Sequence, residues 1–256
     1  MTDRDLLASQ FRADFRIFWR NPQSRYFTLL LPIVFLVIFA AIFEGVTVVD
    51  GKPVDITTYY VPGIMTLGII SASYVNLTQA IVAQREAGVL KRTRATPVPA
   101  AVVIASRAGV GVIVALVMSG LLLAIGRLAY GVPVPGSTMP GLIISVIVGA
   151  ASFCCLGFAI STRISAADAA APVTNLTVLP LYFISGVFVP EDQIPSLLRG
   201  IANVFPIRHL AVAMLTPFIH TQGSGIAASD LVIVAAWGLA GLAFAARAFQ
   251  WSPRTT

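Results

Sequence analysis

Charge is scarce in this chain: of 256 residues, 57% are hydrophobic and 11% are charged. Soluble domains carry about 25% charged residues, so the polar surface needed to stay in water is missing and the chain belongs in a bilayer. Cysteine is nearly absent too. Cys154 and Cys155 adjoin each other in an apolar run, with no second CxxC and no histidine at ligand spacing. That pattern excludes a disulfide scaffold and indicates no metal site; the pair reads as small packing residues in a helix. No GxxxxGK[ST] stretch occurs, so the chain has no phosphate cradle of that kind. Apart from Arg107, which bounds the third run before its extension back to Ala100, the interiors of its apolar runs hold no Asp, Glu, Lys or Arg, the groups that mark proton-coupled transporters and intramembrane enzymes.

What the chain does have is a succession of apolar runs bounded by charges, since a charge at mid-bilayer costs at least ~2.5 kcal/mol. Residues 26–43, 59–83, 100–126, 141–162, 170–189 and 231–248 each supply roughly one crossing of helix. The expected fold is an all-α membrane protein with six transmembrane helices, a single domain over 1–256. Residues 209–229 also lack acids, Lys and Arg. They hold Pro217, Gly223, Gly225 and both histidines, and so read as a re-entrant or surface-lying segment. Near the N-terminus, Leu7, Phe11, Phe15, Phe18 and Trp19 share one helical face while Arg12, Arg16 and Arg20 step along another. This predicts an amphipathic interfacial helix over 1–22. With six spans, 13 of the 17 Lys and Arg residues fall on one side, which puts both termini in the cytoplasm.

Polar groups gather on two runs. Ser73, Asn76 and Gln79 lie on the second, and Thr174, Asn175 and Thr177 on the fifth. Taken alone, they fit helix–helix hydrogen bonds, typically ~0.6 kcal/mol apiece, as well as they fit the lining of a passage for a substrate with polar and apolar parts.

Two motifs stand out. Between the second and third runs lies Arg85-Glu86-Ala87-Gly88-Val89-Leu90-Lys91-Arg92, followed by Arg94 and Thr96-Pro97. After the fifth run come Ser185-Gly186-Val187-Phe188-Val189-Pro190, Ile194-Pro195, Asn203-Val204-Phe205-Pro206 and His209-Leu210. At this separation and in this topology they resemble the corresponding segments of ABC-2 type transporter permeases, with the drug-efflux group related to daunorubicin-type resistance permeases the nearest match. Val89, Thr93 and the Arg208-His209 pair depart from the residues common in that family.

The resemblance implies that the basic segment is a cytoplasmic coupling helix docking on a separate ATP-hydrolysing subunit. Val89 and Leu90 would be the apolar anchors, with Arg85, Glu86, Lys91 and Arg92 around them and Gly88 allowing close approach. Short re-entrant or extracellular helices would follow the fifth span, with Ile194, Leu197, Leu198, Ile201 and Phe205 forming an apolar stripe. Gly186, Phe188, Pro190 and Pro206 would form the outer gate. In the family the second and fifth helices line the pathway, which favours a passage for Ser73, Asn76, Gln79, Thr174, Asn175 and Thr177.

The implied assembly holds two ATPase subunits and a second permease chain, as homodimer or heterodimer. It lies among membrane lipids of a bacterial inner membrane and has no nucleic-acid partner. No cofactor is expected in this chain, ATP and magnesium belonging to the ATPase. The implied activity is export of a drug, antibiotic or lipid, with export of a polysaccharide or lipid-linked glycan as the alternative. A membrane-embedded lipid-modifying enzyme would need a catalytic cluster that the sequence lacks.

Overall fold

The computed structural model describes residues 3–43, 45–49, 51–94, 100–220 and 223–248. The chain is an all-α membrane protein with one small hairpin. Helix α1 (Asp3–Arg20) leads through Asn21 into α2 (Pro22–Ile42), where Pro22 at the first helical position ends one helix and starts the next. Phe11, Phe15 and Phe18 of α1 pack on Ala72, Val110 and Val114. Arg12, Arg16 and Arg20 stay exposed. Leu7 and Trp19 also point outward, so only part of the apolar face meets the rest of the protein.

An antiparallel hairpin follows, β1 (Val46–Val49) and β2 (Lys52–Asp55), with Val46 opposite Asp55 and Val49 opposite Lys52. It lies where sequence reading placed only a connection. Its signal was nonetheless there, an Asp-Gly pair between β-branched residues. Gly51 in the turn has φ +73°. Asp55 then caps the next helix, accepting from the backbone N–H groups of Thr57 (2.9 Å) and Thr58 (3.3 Å).

That helix is a 31-residue rod, Ile56–Glu86. It consists of α3 (Ile56–Ile70), a π turn over Ser71–Val75, and α4 (Asn76–Glu86). Its first half is the centre of the protein, with Val61, Ile64, Met65, Ile69 and Ile70 at most 1% exposed. At the π turn the N–H of Asn76 reaches back to Ser71 O, and the extra residue turns the downstream face by about 100°. After a turn at Ala87-Gly88 come α5 (Val89–Arg94), α6 (Ala100–Tyr130), α7 (Met139–Ser161) and α8 (Ala167–Ile184).

Small residues let these helices approach closely. A Cβ on Gly238 would lie 2.7 Å from Ser152 Cα, and one on Gly149 would lie 2.6 Å from Leu210 Cδ1. Helix α8 stops earlier than the run 170–189 suggests, because Gly186 takes φ +80° and turns the chain.

The segment after α8 forms α9 (Ser196–Ala202) and α10 (Pro206–Ile219), bent by 94° at Asn203–Phe205. Sequence reading broke the chain at His209, whereas α10 runs through it. Ile207, Leu210, Ala213 and Met214 are buried because α10 packs against α7 along its length. Thr138 Oγ1 donates to Pro217 O (2.7 Å) and Ser145 Oγ to Ala213 O (3.1 Å). The bend itself sits halfway along α11 (Ala228–Ala248), where Trp237 Nε1 donates to Val204 O (3.1 Å). The pair thus dips into the bundle and returns to the end it left. The apolar stripe expected on α9 does not face inward: Leu197, Leu198 and Ile201 are exposed.

Four helices are long and apolar enough to cross a membrane among the described residues: Ile56–Glu86, Val102–Tyr130, Met139–Ser161 and Ala228–Ala248. Helix α2 is apolar over the shorter stretch Thr28–Ile42. Helix α8 is less apolar because it carries Asp168, Asn175 and two prolines.

Candidate functional site

The basic motif forms an elbow at one end of the bundle. Ala87 N–H bonds Ala83 O (3.0 Å) and Gly88 N–H bonds Arg85 O (3.1 Å), which closes α4. Gly88 then takes φ +71° and α5 begins. Nothing lies within 4 Å of where a Gly88 Cβ would stand, so the glycine serves a left-handed backbone and not a close approach.

Arg85 is only 2% exposed. Its guanidinium donates to Ser161 O (3.0 Å) and to Ile164 O, closing the C-terminal end of α7. Its expected place on the docking face is therefore corrected: it clamps the elbow from inside. Leu90 is corrected in the same way. It is 2% exposed and packs in a cluster with Leu77, Ile81, Phe158 and Ala245. Glu86 reaches across to accept from the backbone N–H of Ala167 (2.7 Å), the first residue of α8. Arg85 and Glu86 fasten the end of α4 to α7 and α8, and Leu90 packs α5 against α4 and α7. Val89, Lys91 and Arg92 remain exposed on its outer side. Thr96-Pro97, read as the end of this element, lies outside the described residues.

The six polar pathway candidates are not brought together. Ser73 and Thr174 are fully buried and donate to carbonyls in their own helices, Ile69 O (2.5 Å) and Ala170 O (2.8 Å). Asn76 points the other way, toward α2, where its amide donates to Thr28 Oγ1. Gln79 is half-buried and Asn175 is exposed. Thr177 shares a hydrogen bond with Tyr74 OH (2.9 Å). The π turn is the physical reason, since it rotates Asn76 and Gln79 away from the face that regular helical spacing assigns them.

Thr177 does border a large, open apolar groove between α8 and α11. Leu176, Leu181, Phe205, Trp237 and Phe244 form its walls, Tyr74 and Phe153 its floor, and Arg163 one end. Sequence reading missed these residues because an aromatic in an apolar run carries no positional signal.

At the hairpin end the gate candidates do converge. Gly186 O accepts from Tyr59 OH (2.6 Å), and a Cβ on Gly63 would lie 2.9 Å from Val187 O. Phe188 is 7% exposed, ringed by Phe183 (5.2 Å), Phe35 and Phe39 (both 5.5 Å) and Tyr182 (5.6 Å). Pro190 is buried beside the hairpin. Pro206 lies apart from these three, at the first position of α10 and on the edge of the apolar groove. Beside the turn, Arg208 pairs with Glu191 (2.9 Å) and His209 with Asp230 (2.7 Å).

The family model for ABC-2 type transporters matches residues 6–219, from α1 through the elbow and the turn after α8 to the end of α10. The chain belongs to the ABC-2 type transporter family. It is 23% identical over 186 residues, 72% of each chain, to the inner membrane transport permease YadH of Escherichia coli K12. The YadH proteins of E. coli O157:H7 and Shigella flexneri match to the same extent. This ABC-2 permease is thus a multi-pass inner-membrane transport protein, not an enzyme, and it associates with an ABC ATPase.

Proposed function

We propose that this ABC-2 permease is the membrane subunit of an ATP-driven exporter, with six spans per chain and both termini in the cytoplasm. Two copies, or one copy and a sister chain, work with two ATPase subunits that bind ATP and magnesium. Helix α5 is the coupling element. The supporting observation is how the elbow is fastened: Arg85 and Glu86 tie the end of α4 to α7 and α8, and Leu90 packs α5 against α4 and α7, so displacement of the exposed side of α5 is carried through the elbow into two membrane helices. The contact surface for the ATPase is then Val89, Lys91 and Arg92, with Gly88 setting the angle. An exposed apolar residue among charges suits a protein cleft, the apolar group giving affinity and the charges register.

The groove beside Thr177 suits an amphipathic drug, antibiotic or lipid. Its walls are aromatic and aliphatic, while Thr177, Tyr74 and Arg163 offer a few polar groups. Gly186, Phe188 and Pro190 close the outer end, with Pro206 below them. Ser73, Asn76 and Thr174 bond within or between helices and take no direct part in the passage. Transport of a polysaccharide is the second reading, favoured by the aromatic lining alone.

Affinity capture of the permease from native membranes in mild detergent tests this. Wild-type bait retains the ATPase; Val89→Asp with Lys91→Glu loses it while the permease keeps its elution volume. Equal retention by both baits overturns the coupling assignment.

A further inference from the structure

The apolar groove between α8 and α11 has a definite length and a definite polarity. Phe153 and Arg163 stand ten residues apart along its floor, roughly 15 Å at the rise of a helix. That is half of the ~30 Å hydrocarbon thickness, the depth of one leaflet. The deep end is aromatic: Trp237 stands level with Phe153, since its neighbour Gly238 meets Ser152, and Phe205 stacks on Trp237 (6.3 Å). Leu176 and Phe244 are exposed on the rims, so the groove is open to the bilayer along its side.

Arg163 holds the shallow end, its guanidinium 5.0 Å from the centre of the Phe244 ring. It is exposed, and among the described residues its side chain makes no hydrogen bond and no ion pair. A cation–π contact occupies the face of a guanidinium and leaves the N–H groups on its edge open to an acceptor. No Asp, Glu, Lys or His is among the described lining residues, so nothing in the groove offsets this charge. Asp168, five residues on, lies outside the lining, and Glu86 is engaged by the N–H of Ala167. The hydroxyls farther in, on Tyr74 and Thr177, are bonded to each other (2.9 Å).

We propose that Arg163 makes this groove selective for anionic amphiphiles of the cytoplasmic leaflet, a negative head on a hydrocarbon tail. The inference rests on the reading of the groove as the passage and of the elbow end as cytoplasmic, and it adds the charge class of the substrate. The head takes the free N–H groups of Arg163, and the tail runs past Ile160, Leu176 and Phe244 toward Trp237. Other occupants match less of the site. A cationic drug meets an arginine and no carboxylate. A sugar chain finds the inner hydroxyls already paired. A free inorganic anion leaves a leaflet's depth of apolar wall uncovered.

The test uses the permease purified with its ATPase in phosphatidylcholine nanodiscs, with Trp19→Phe and Trp251→Phe leaving Trp237 as the sole tryptophan. Two quenchers share one brominated hexadecyl chain and differ in a permanent head charge, sulfonate or trimethylammonium. Half-quenching of Trp237 is expected at about tenfold lower mole fraction of the sulfonate. Arg163→Gln brings the two together, Arg163→Glu reverses the order, and Arg163→Lys keeps most of the preference. Arg12→Gln, which removes an exposed charge away from the groove, leaves the ratio unchanged. Equal quenching by the two probes in wild type overturns the proposal. So does a preference that survives Arg163→Gln, or one that falls as far in Arg12→Gln. Displacement of the sulfonate amphiphile by sodium sulfate, against sodium chloride of equal ionic strength, overturns it as well, because the tail would then be irrelevant. The export reading has its own readout, ATP-driven loss of the sulfonate from the ATPase-side leaflet of proteoliposomes. An intact Trp237 preference without that loss overturns export and upholds the selective groove.

Discussion

Replacing Arg85 by alanine separates a clamp from a docking residue. The guanidinium donates to Ser161 O and Ile164 O at the point where α7 ends and the chain turns toward α8. A hydrogen bond from a charged donor contributes ~1.5–3 kcal/mol, and a cation at a helix C-terminus adds ~0.3–1 kcal/mol. Bonds between helices in membranes run nearer ~0.6 kcal/mol, since the unfolded chain in the bilayer finds other partners. With two bonds at the buried edge of the bundle, a loss of about 3 kcal/mol is expected for Arg85→Ala. Arg85→Lys keeps the charge but not the two-pronged geometry, and should recover about a third. Equilibrium unfolding in mixed micelles, titrated with a denaturing detergent, reads this directly. Hydrogen exchange over 161–167 should rise in the alanine variant before any other loop changes. A variant within ~0.5 kcal/mol of wild type that has lost the ATPase would refute the clamp and return Arg85 to the docking face.

Three further outcomes follow from the same geometry. Leu90→Asp puts a charge into the cluster of Ile81 and Phe158 and should cost at least ~3 kcal/mol in the same titration, whereas Val89→Asp should leave stability within ~0.5 kcal/mol and abolish ATPase capture. Phe188→Ala empties a site ringed by four aromatic side chains and should cost about 3–5 kcal/mol. In proteoliposomes it should also raise passive dye leakage, and unchanged leakage would argue against a gate there. Gly238→Leu places atoms where Ser152 already stands, so α7 and α11 should separate; normal detergent-resistant folding of that variant would show that the helices can shift apart at little cost.

How legible was this protein from its residues? Four of the apolar runs and their bounding charges match, to within a few residues, the four described helices long and apolar enough to cross a membrane, because hydrocarbon thickness leaves little choice of length. The elbow was visible as a motif, yet Arg85 and Leu90 were assigned to the wrong side of it. At this length, one turn of helix either faces the bundle or faces away, and the sequence contains no statement of which face meets α7. The polar residues of the second run lie on faces that a helical wheel does not give, for a different reason. A regular helical wheel assumes an unbroken 3.6-residue period, and the π turn at Ser71–Val75 shifts everything after it. The hairpin was readable from Asp50-Gly51 between Val46–Val49 and Lys52–Asp55, but it is short and lies between two strong hydrophobic signals. Where α10 begins was obscured by His209, a polar residue buried against Asp230 and Asn203 O, which looks like a loop residue until its partners are known.

The rod Ile56–Glu86 touches both ends of the molecule. At one end its Tyr59 and Tyr60 hydroxyls hold the carbonyls of Gly186 and Phe188; at the other, Arg85 and Glu86 hold the turn between α7 and α8. At ~1.5 Å per residue it is about 45 Å long, a single push-rod between the two faces of the membrane. Its one soft joint is the π turn near its middle. A displacement of a few ångströms at the elbow reaches the turn after α8 without passing through any loop, diminished only by how far that joint flexes. Stiffening it, by deleting one residue of Ser71–Val75, would trade compliance for a half whose faces no longer match their neighbours.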